Sequence, residues 1–222
     1  ITKRPRVNVS MILIRGNNKK KEKFILKLLL LKPGGRFKLK WQQRSFRELY
    51  KTGLFSKVDF HLEKQEGTDQ WPLVVEVTEV PAKEVYFEPG WGSYELLRLK
   101  AGFQEKNLFG TGRIFGLEAT GSFKAQSLVA RLSDPWFLNT KTKADLTSFY
   151  SRREEPSFTD QAYGGTVALQ RELFRRWTTR LGYTYRTRKG TNIQVDPGIV
   201  SVTDYLEGDL FAETTIDLRD SP

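Results

Sequence analysis

Residues 97–112 (LRLKAGFQEKNLFGTG) constrain this chain more than any other stretch. Leu97, Leu99, Ala101 and Phe103 alternate with Arg98, Lys100, Gly102 and Gln104. An extended strand with that pattern has one greasy face and one polar face. An Asn/Gly turn follows, running through Asn107, Leu108, Gly110 and Gly112, and Asp134-Pro135-Trp136-Phe137 stands further on. One alternating strand is ordinary. A succession of them, linked as hairpins and ending in aromatics, is the pattern of a β-barrel wall in a membrane.

The alternation recurs along the rest of the chain. It is found in residues 113–122 (Phe115, Leu117, Ala119), 128–133, 144–152, 166–171 and 178–188 (Leu181, Tyr183, Tyr185). It is longest in residues 205–218, where Leu206, Leu210, Ala212 and Ile216 face one way and Glu207, Asp209 and Glu213 the other. With residues 85–92 (VYFEPGWG) these make about eight strands, many near the roughly 9–11 residues that cross a bilayer when tilted. Connections are expected to alternate in length, short at 93–95 and 123–125, long at 154–163 and 189–203. A soluble sandwich or lipocalin-like barrel would also alternate, but its apolar faces meet in a core and should be rich in Ile, Val and Phe. Here several faces use Ala, Gly, Ser and Thr while the opposite face is charged, which favours a lipid-facing band around a wet lumen. The soluble barrel stays open on pattern alone.

Composition removes other classes. The hydrophobic fraction is 38% and the mean hydropathy −0.50. The apolar run at residues 24–31 is broken by Lys27 and falls far short of the roughly 20 residues of a spanning helix. There is no Cys, hence no disulfide framework or thiolate metal site. His61 is the single histidine, which argues against histidine-based catalysis or metal binding. Residues 1–83 hold 19 Lys/Arg against 8 Asp/Glu, and residues 84–222 hold 18 against 18, so the whole net charge of +11 lies in the first third. Those basic residues lack the interleaved aromatics of an RNA-binding module, so nucleic acid is not the expected partner. Asp134, Asp217 and Asp220 have no neighbouring nucleophile or base. Gly110-Thr111-Gly112 lacks the helix and Lys of a phosphate loop. The expectation is no enzyme, no cofactor and no metal. No signal peptide opens the chain, so a removed leader or an interior fragment is expected.

The first third reads as β-α-α-β-β. Residues 7–15 alternate and end at Gly16-Asn17-Asn18. Residues 20–30 switch to helical spacing, with Phe24, Ile25, Leu28 and Leu29 on one face, and Pro33-Gly34-Gly35 is read as the stop. A second helix is expected over residues 39–52, burying Trp41, Phe46, Leu49 and Tyr50, with Gly53 at the left-handed position after its end. Strands at 56–63 and 73–80 complete a small sheet covered by two helices.

These residues resemble a known module. "IRGN", "LKPGGRF", "FRELYKTGLFSKVDF" and "PLVVEVTEVP" are similar to a polypeptide-transport-associated (POTRA) domain, carried by Gly16, Gly53, Leu54, Phe55 and Val58. "GFQEKNLFGTGR", "LSDPWF" and "IDLRDSP" follow in that order. Their Gly102, Phe103, Asn107, Leu108, Gly110, Gly112, Asp134, Pro135, Trp136, Phe137, Asp217, Arg219 and Asp220 resemble the motifs of the outer-membrane protein assembly superfamily, BamA/TamA-like. The resemblance implies an α+β POTRA domain over residues 1–83, in the periplasm. It implies over residues 84–222 the N-terminal half of an antiparallel transmembrane β-barrel of roughly sixteen strands, in the bacterial outer membrane. The implied function is insertion of other β-barrel proteins. The implied partners are unfolded outer-membrane protein clients, membrane lipid and accessory assembly subunits.

Within that reading the first barrel strand, with Tyr86, Phe87, Pro89, Gly90, Trp91 and Gly92, forms one side of a lateral seam weakened by Pro and Gly. The alternative is that these residues only bend the chain between domains. Trp91, Trp136, Phe137 and Trp177 are candidates for an aromatic belt. The closing strand, the Val-Arg-Gly-Phe/Tyr loop motif and a series of POTRA repeats, all usual in the superfamily, do not occur in the chain. Two other functions stay open: a two-partner polypeptide-secretion pore, and the barrel anchor of a patatin-like phospholipase.

Overall fold

The computed structural model describes residues 7–138, 140–174, 176–194 and 204–218. The chain forms two compact units, residues 1–82 with Lys106–Gly112, and Lys83–Glu105 with the residues from Arg113 onward.

The first unit contains β1 (Asn8–Arg15), α1 (Glu22–Leu28), α2 (Leu39–Lys51), β2 (Phe55–Leu62) and β3 (Gln70–Glu79). The strand order is β1-β3-β2, with β1 parallel and β2 antiparallel to β3. Leu73, Val74 and Val75 of central β3 are wholly buried, and Phe24, Ile25 and Leu28 of α1 join them in the core. The helix α1 is shorter than its spacing predicts and ends well before Pro33. Leu29 is already extended, and the Leu30 N–H donates to Ser45 Oγ at 2.9 Å. A side chain on α2 thus satisfies a backbone group that another turn of α1 would have used, and Leu29 and Leu31 are left to fill the core.

The burial expected for α2 needs correction. Leu49 is buried, together with Ser45, but Trp41 is only half-buried and Phe46 and Tyr50 are exposed. Positions 41, 45 and 49 share one stripe of the helix, and 46 and 50 lie roughly 100° further round. The two exposed rings stack on each other, with centroids 5.0 Å apart, and the Tyr50 hydroxyl donates to the Ser56 carbonyl.

The turn after β1 is clamped to the end of β3. The backbone N–H groups of Asn18, Lys19 and Lys20 all donate to the Glu79 carboxylate at 2.9–3.1 Å. Lys20 Nζ lies 3.4 Å from it, its side chain 1% exposed, and also donates to the Val80 carbonyl. Burial is the largest influence on Glu79 and pushes its pKa up. The N–H donors of Lys20 and Lys19 and the Lys20 charge together outweigh it and hold the carboxyl below its ordinary value.

Among the described residues the second sheet has eight strands: β4 (Lys83–Gly92), β5 (Leu96–Leu108), β6 (Arg113–Ser122), β7 (Ala125–Phe137), β8 (Thr142–Glu154), β9 (Thr159–Phe174), β10 (Trp177–Thr191) and β11 (Asp204–Ile216). Each strand lies beside its neighbours in sequence, with β4 and β11 at the edges. Register carries the greasy side chains across the sheet in rows. One row runs Phe115, Leu132, Leu146, Val167, Tyr183, Leu210, each directly opposite the next. No helix among the described residues is long and apolar enough to cross a membrane, and an apolar face of this kind is what the strands of a barrel present to lipid.

The long connection expected at 154–163 is not found, and most of the one expected at 189–203 lies outside the described residues. The strand β9 begins at Thr159, which leaves only residues 155–158 between β8 and β9. Thr159 and Ala162 are buried, and the Glu155 N–H donates to the Phe158 carbonyl. Polar residues expected to loop out therefore pair as strand. Because hairpins alternate ends, the short links at 93–95, 123–124 and 155–158 fall at one end of the sheet, and those at 109–112 and 138–141 at the other.

Candidate functional site

Tyr86, Phe87, Pro89, Gly90, Trp91 and Gly92 all lie on β4, an edge strand whose only partner among the described residues is β5. Val85, Phe87, Pro89 and Trp91 stand opposite Phe103, Ala101, Leu99 and Leu97, so they share the greasy face. Phe87 and Trp91 are 64% and 74% exposed. Pro89 removes an N–H from the strand, and Gly90 and Gly92 flank Trp91 without side chains to pack. Among the described residues no strand pairs with the other edge of β4 over residues 86–92, and an unpaired edge can accept another strand.

On the polar face, Tyr86 stands opposite Gly102 and its ring covers that glycine so closely that a Cβ there would collide with it. The Tyr86 hydroxyl donates to Glu118 Oε2 at 2.6 Å. Lys100 Nζ lies 3.2 Å from the same oxygen and 3.7 Å from Glu88 Oε2. This network ties β4, β5 and β6 together. Lys100 and Glu118 were not among the residues singled out from the sequence, where each is simply a charge on an alternating strand. Only the register brings them together.

Asn107, Leu108, Gly110 and Gly112 form a tight turn. The Gly110 N–H donates to the Asn107 carbonyl and the Gly112 N–H to Asn107 Oδ1, both at 2.9 Å. Phe109, Gly110 and Gly112 all have positive φ. A Cβ on Gly110 would sit 3.2 Å from Lys21 Cγ and 3.3 Å from the Lys19 carbonyl. Asp134 lies near the end of β7, where the register with β8 shifts between Asp134 and Phe137. The corner expected at Asp134-Pro135-Trp136-Phe137 is therefore a bulge inside a strand, set where Pro135 supplies no N–H. Asp134 Oδ1 accepts the Trp136 N–H, and Oδ2 accepts Arg113 Nε at 2.8 Å. Arg113, which follows Gly112 directly, thus bonds one motif to the other. Asp217 follows β11, its N–H donating to the Arg176 carbonyl. Arg219 and Asp220 lie outside the described residues.

The POTRA-like residues occupy the first unit. Gly16 follows β1 at φ +85°, and a Cβ there would collide with the Val77 carbonyl. Gly53 follows α2 at φ +65°. Leu54, Phe55 and Val58 are buried. Exposed aromatics gather at both ends of the eight-stranded sheet: Phe137, Phe174 and Trp177 at one, Trp91, Tyr94, Phe123 and Phe158 at the other. Trp136 is half-buried. A greasy band with aromatic rims suits a bilayer, where rings settle at the headgroup level.

Comparison with known proteins agrees with this geometry. A family model described as the Omp85 superfamily domain matches residues 107–221. The POTRA family, described as surface antigen variable number repeat, matches residues 7–80. The outer membrane protein assembly factor BamA of Nitratidesulfovibrio vulgaris is 24% identical over 230 residues, covering 100% of this chain and 29% of that protein. A putative outer membrane protein assembly factor of Treponema pallidum is 29% identical over 146 residues, 63% of this chain and 17% of that one. Among solved structures, BamA from Haemophilus ducreyi lacking POTRA domains 1–3 matches with a TM-score of 0.74 at 17% identity, over 94% of this chain and 43% of that one. CdiB from Acinetobacter baumannii matches with a TM-score of 0.60 at 13% identity, over 97% and 44%. The chain therefore spans less than half the length of each of these relatives.

Proposed function

The chain belongs to the Omp85 superfamily, a POTRA domain followed by part of an outer-membrane β-barrel, and from that premise we propose that it inserts β-barrel proteins into the bacterial outer membrane. It is an outer-membrane protein with its POTRA domain in the periplasm. The protein works without a chemical step, as a template. Unfolded outer-membrane proteins are its clients, accessory subunits assist it, and the boundary between periplasmic and membrane parts falls near residue 83.

The observation that carries the proposal is the edge strand β4. Its backbone is paired on one side, and Pro89, Gly90 and Gly92 weaken the stretch that would close the barrel. A seam that opens there presents strand hydrogen-bonding groups to a client strand. The Tyr86–Glu118–Lys100 network holds the rest of β4 to the wall while its Gly-rich end yields. Gly102 serves by leaving room for Tyr86, and Asp134 by fixing Arg113 at the end of the turn. In the POTRA sheet β1 and β2 are the edges. Arg36 bridges to Asn8 at the start of β1, so β2 is the better candidate to receive a client by strand addition.

The test is a disulfide between β4, at Phe87→Cys, and the closing strand of the full-length protein. Locking the seam stops client assembly in proteoliposomes, and reduction restores it. Full assembly through a locked seam would overturn the proposal. The fold likeness to CdiB supports a second reading, a secretion pore. A pore passes its cargo through the lumen, so it would keep working with the seam locked.

A further inference from the structure

The exposed side of α2 carries two adjacent stripes that the assembly reading does not use. Lys40, Arg44, Arg47 and Lys51 recur at helical spacing along one stripe. Leu39, Gln43, Phe46 and Tyr50 form the next, and Leu39 is 60% exposed. The buried side, Ser45 and Leu49, faces the core, and the exposed stripes are tied to the rest of the domain by the Tyr50 hydroxyl on the Ser56 carbonyl. Lys51 lies 3.7 Å from Glu48. Among the described residues, Lys40, Arg44 and Arg47 have no carboxylate within salt-bridge distance. The apolar stripe continues into a groove lined by Leu39, Phe46, Val58 and Phe60, with Arg47 and Asp59 also on its wall.

We infer that α2 is a membrane-surface helix, which rests its Leu39–Phe46–Tyr50 stripe on the periplasmic leaflet and binds anionic phospholipid headgroups through Lys40, Arg44 and Arg47. Charge complementarity selects this occupant. The whole net positive charge of the chain lies in residues 1–83, and on α2 it stands beside exposed aromatic and aliphatic side chains. A greasy stripe flanked by cations is the composition of helices that lie in a bilayer interface. A strand-like client would instead need backbone partners, which a helix face cannot offer. Tethering to membrane-spanning strands makes the contact intramolecular, so weak headgroup attractions suffice to populate it. The inference requires only that the domain lie beside a membrane. It is independent of whether clients are inserted.

The 222 residues contain no Cys, so Gln43→Cys can carry a polarity-sensitive fluorophore. The full-length labelled protein, with any cysteine outside this stretch removed, is reconstituted into vesicles of phosphatidylcholine, with or without phosphatidylglycerol. Phosphatidylglycerol should shift the emission to the blue and protect the probe from an aqueous quencher, and high salt should reverse both. The variant Lys40→Gln/Arg44→Gln/Arg47→Gln should lower the bound-to-free ratio by roughly 100-fold, each charge being worth about fivefold. Phe46→Ser should abolish the blue shift while the three cations remain. Circular dichroism of each variant guards against misfolding, because all the changed side chains lie off the buried side. Identical emission in both kinds of vesicle would overturn the inference. So would a probe that answers to an added unfolded barrel segment and not to lipid, which would make this face a peptide groove. Client assembly is measured on the same proteoliposomes, so loss of lipid contact with assembly intact separates this inference from the insertase proposal.

Discussion

In β3 of the first sheet Leu73, Val74 and Val75 are wholly buried, whereas in β10 of the second Leu181, Tyr183 and Tyr185 stand about half exposed to solvent. Both strands are built from apolar residues that favour extended backbone. The difference lies in what covers them. Two helices supply Phe24, Ile25, Leu28 and Leu49 to the first sheet. Among the described residues the second sheet has no helix of its own, and its buried hydrophobics there are the small Ala162 and Ala168. Where water is the solvent, an apolar face needs a protein partner. Where lipid is the solvent, the same face is already satisfied.

Truncation separates the two most sharply. Leu73→Ala should destabilise the first domain by about 2–5 kcal/mol, the cost of a cavity in a packed core, read as a shift in its denaturation midpoint. Leu181→Ala opens no such cavity, and equal losses at the two positions would erase the contrast. Charge tests it from the other side. Leu181→Arg should cost about 2–4 kcal/mol if it sits near the bilayer midplane, measured by folding of the full-length protein into lipid vesicles. Free folding of that variant would mean the face does not meet lipid.

The Glu79 clamp gives the first domain a pH dependence. Its folded pKa lies below the ordinary carboxylate value of 4.5, so its contribution is complete above that value and disappears as pH falls through the folded one. Glu79→Gln should lower stability at neutral pH by about 1–3 kcal/mol. It should also flatten the acid limb of a stability profile relative to the parent, and an unchanged acid limb would remove the clamp from the account. The smallest effect is at the glycines. Gly53 and Gly121 both have room for a Cβ, but only Gly53 has positive φ, at +65°. Gly53→Ala should cost about 1–2 kcal/mol, and Gly121→Ala should be close to neutral by the same denaturation measurement.

Much of this was legible in the residues. Period-two alternation marked the strands of the second sheet, and the spacing of Phe24, Ile25 and Leu28 marked α1. Gly53 marked the end of α2, and the charge count separated the basic third from the neutral remainder. Other features were not legible. The exposure of Phe46 and Tyr50 depends on which stripe of α2 meets the sheet, and two competing apolar stripes cannot be ranked without it. The strand β9 extends back to Thr159 because β8 and β10 pair with it there, although its residues look like loop.

The sequence by itself determined the local periods, the turn chemistry and the two faces of each strand, because these follow from backbone geometry and nearest neighbours. Only the tertiary structure decided that Tyr86 covers Gly102, that Tyr86 and Lys100 share one Glu118 oxygen, that Arg113 meets Asp134 and that Glu79 gathers three N–H groups. Those contacts join residues far apart in the chain, and they are selected by strand register and by how α1 and α2 close over β3, which no short window of residues encodes.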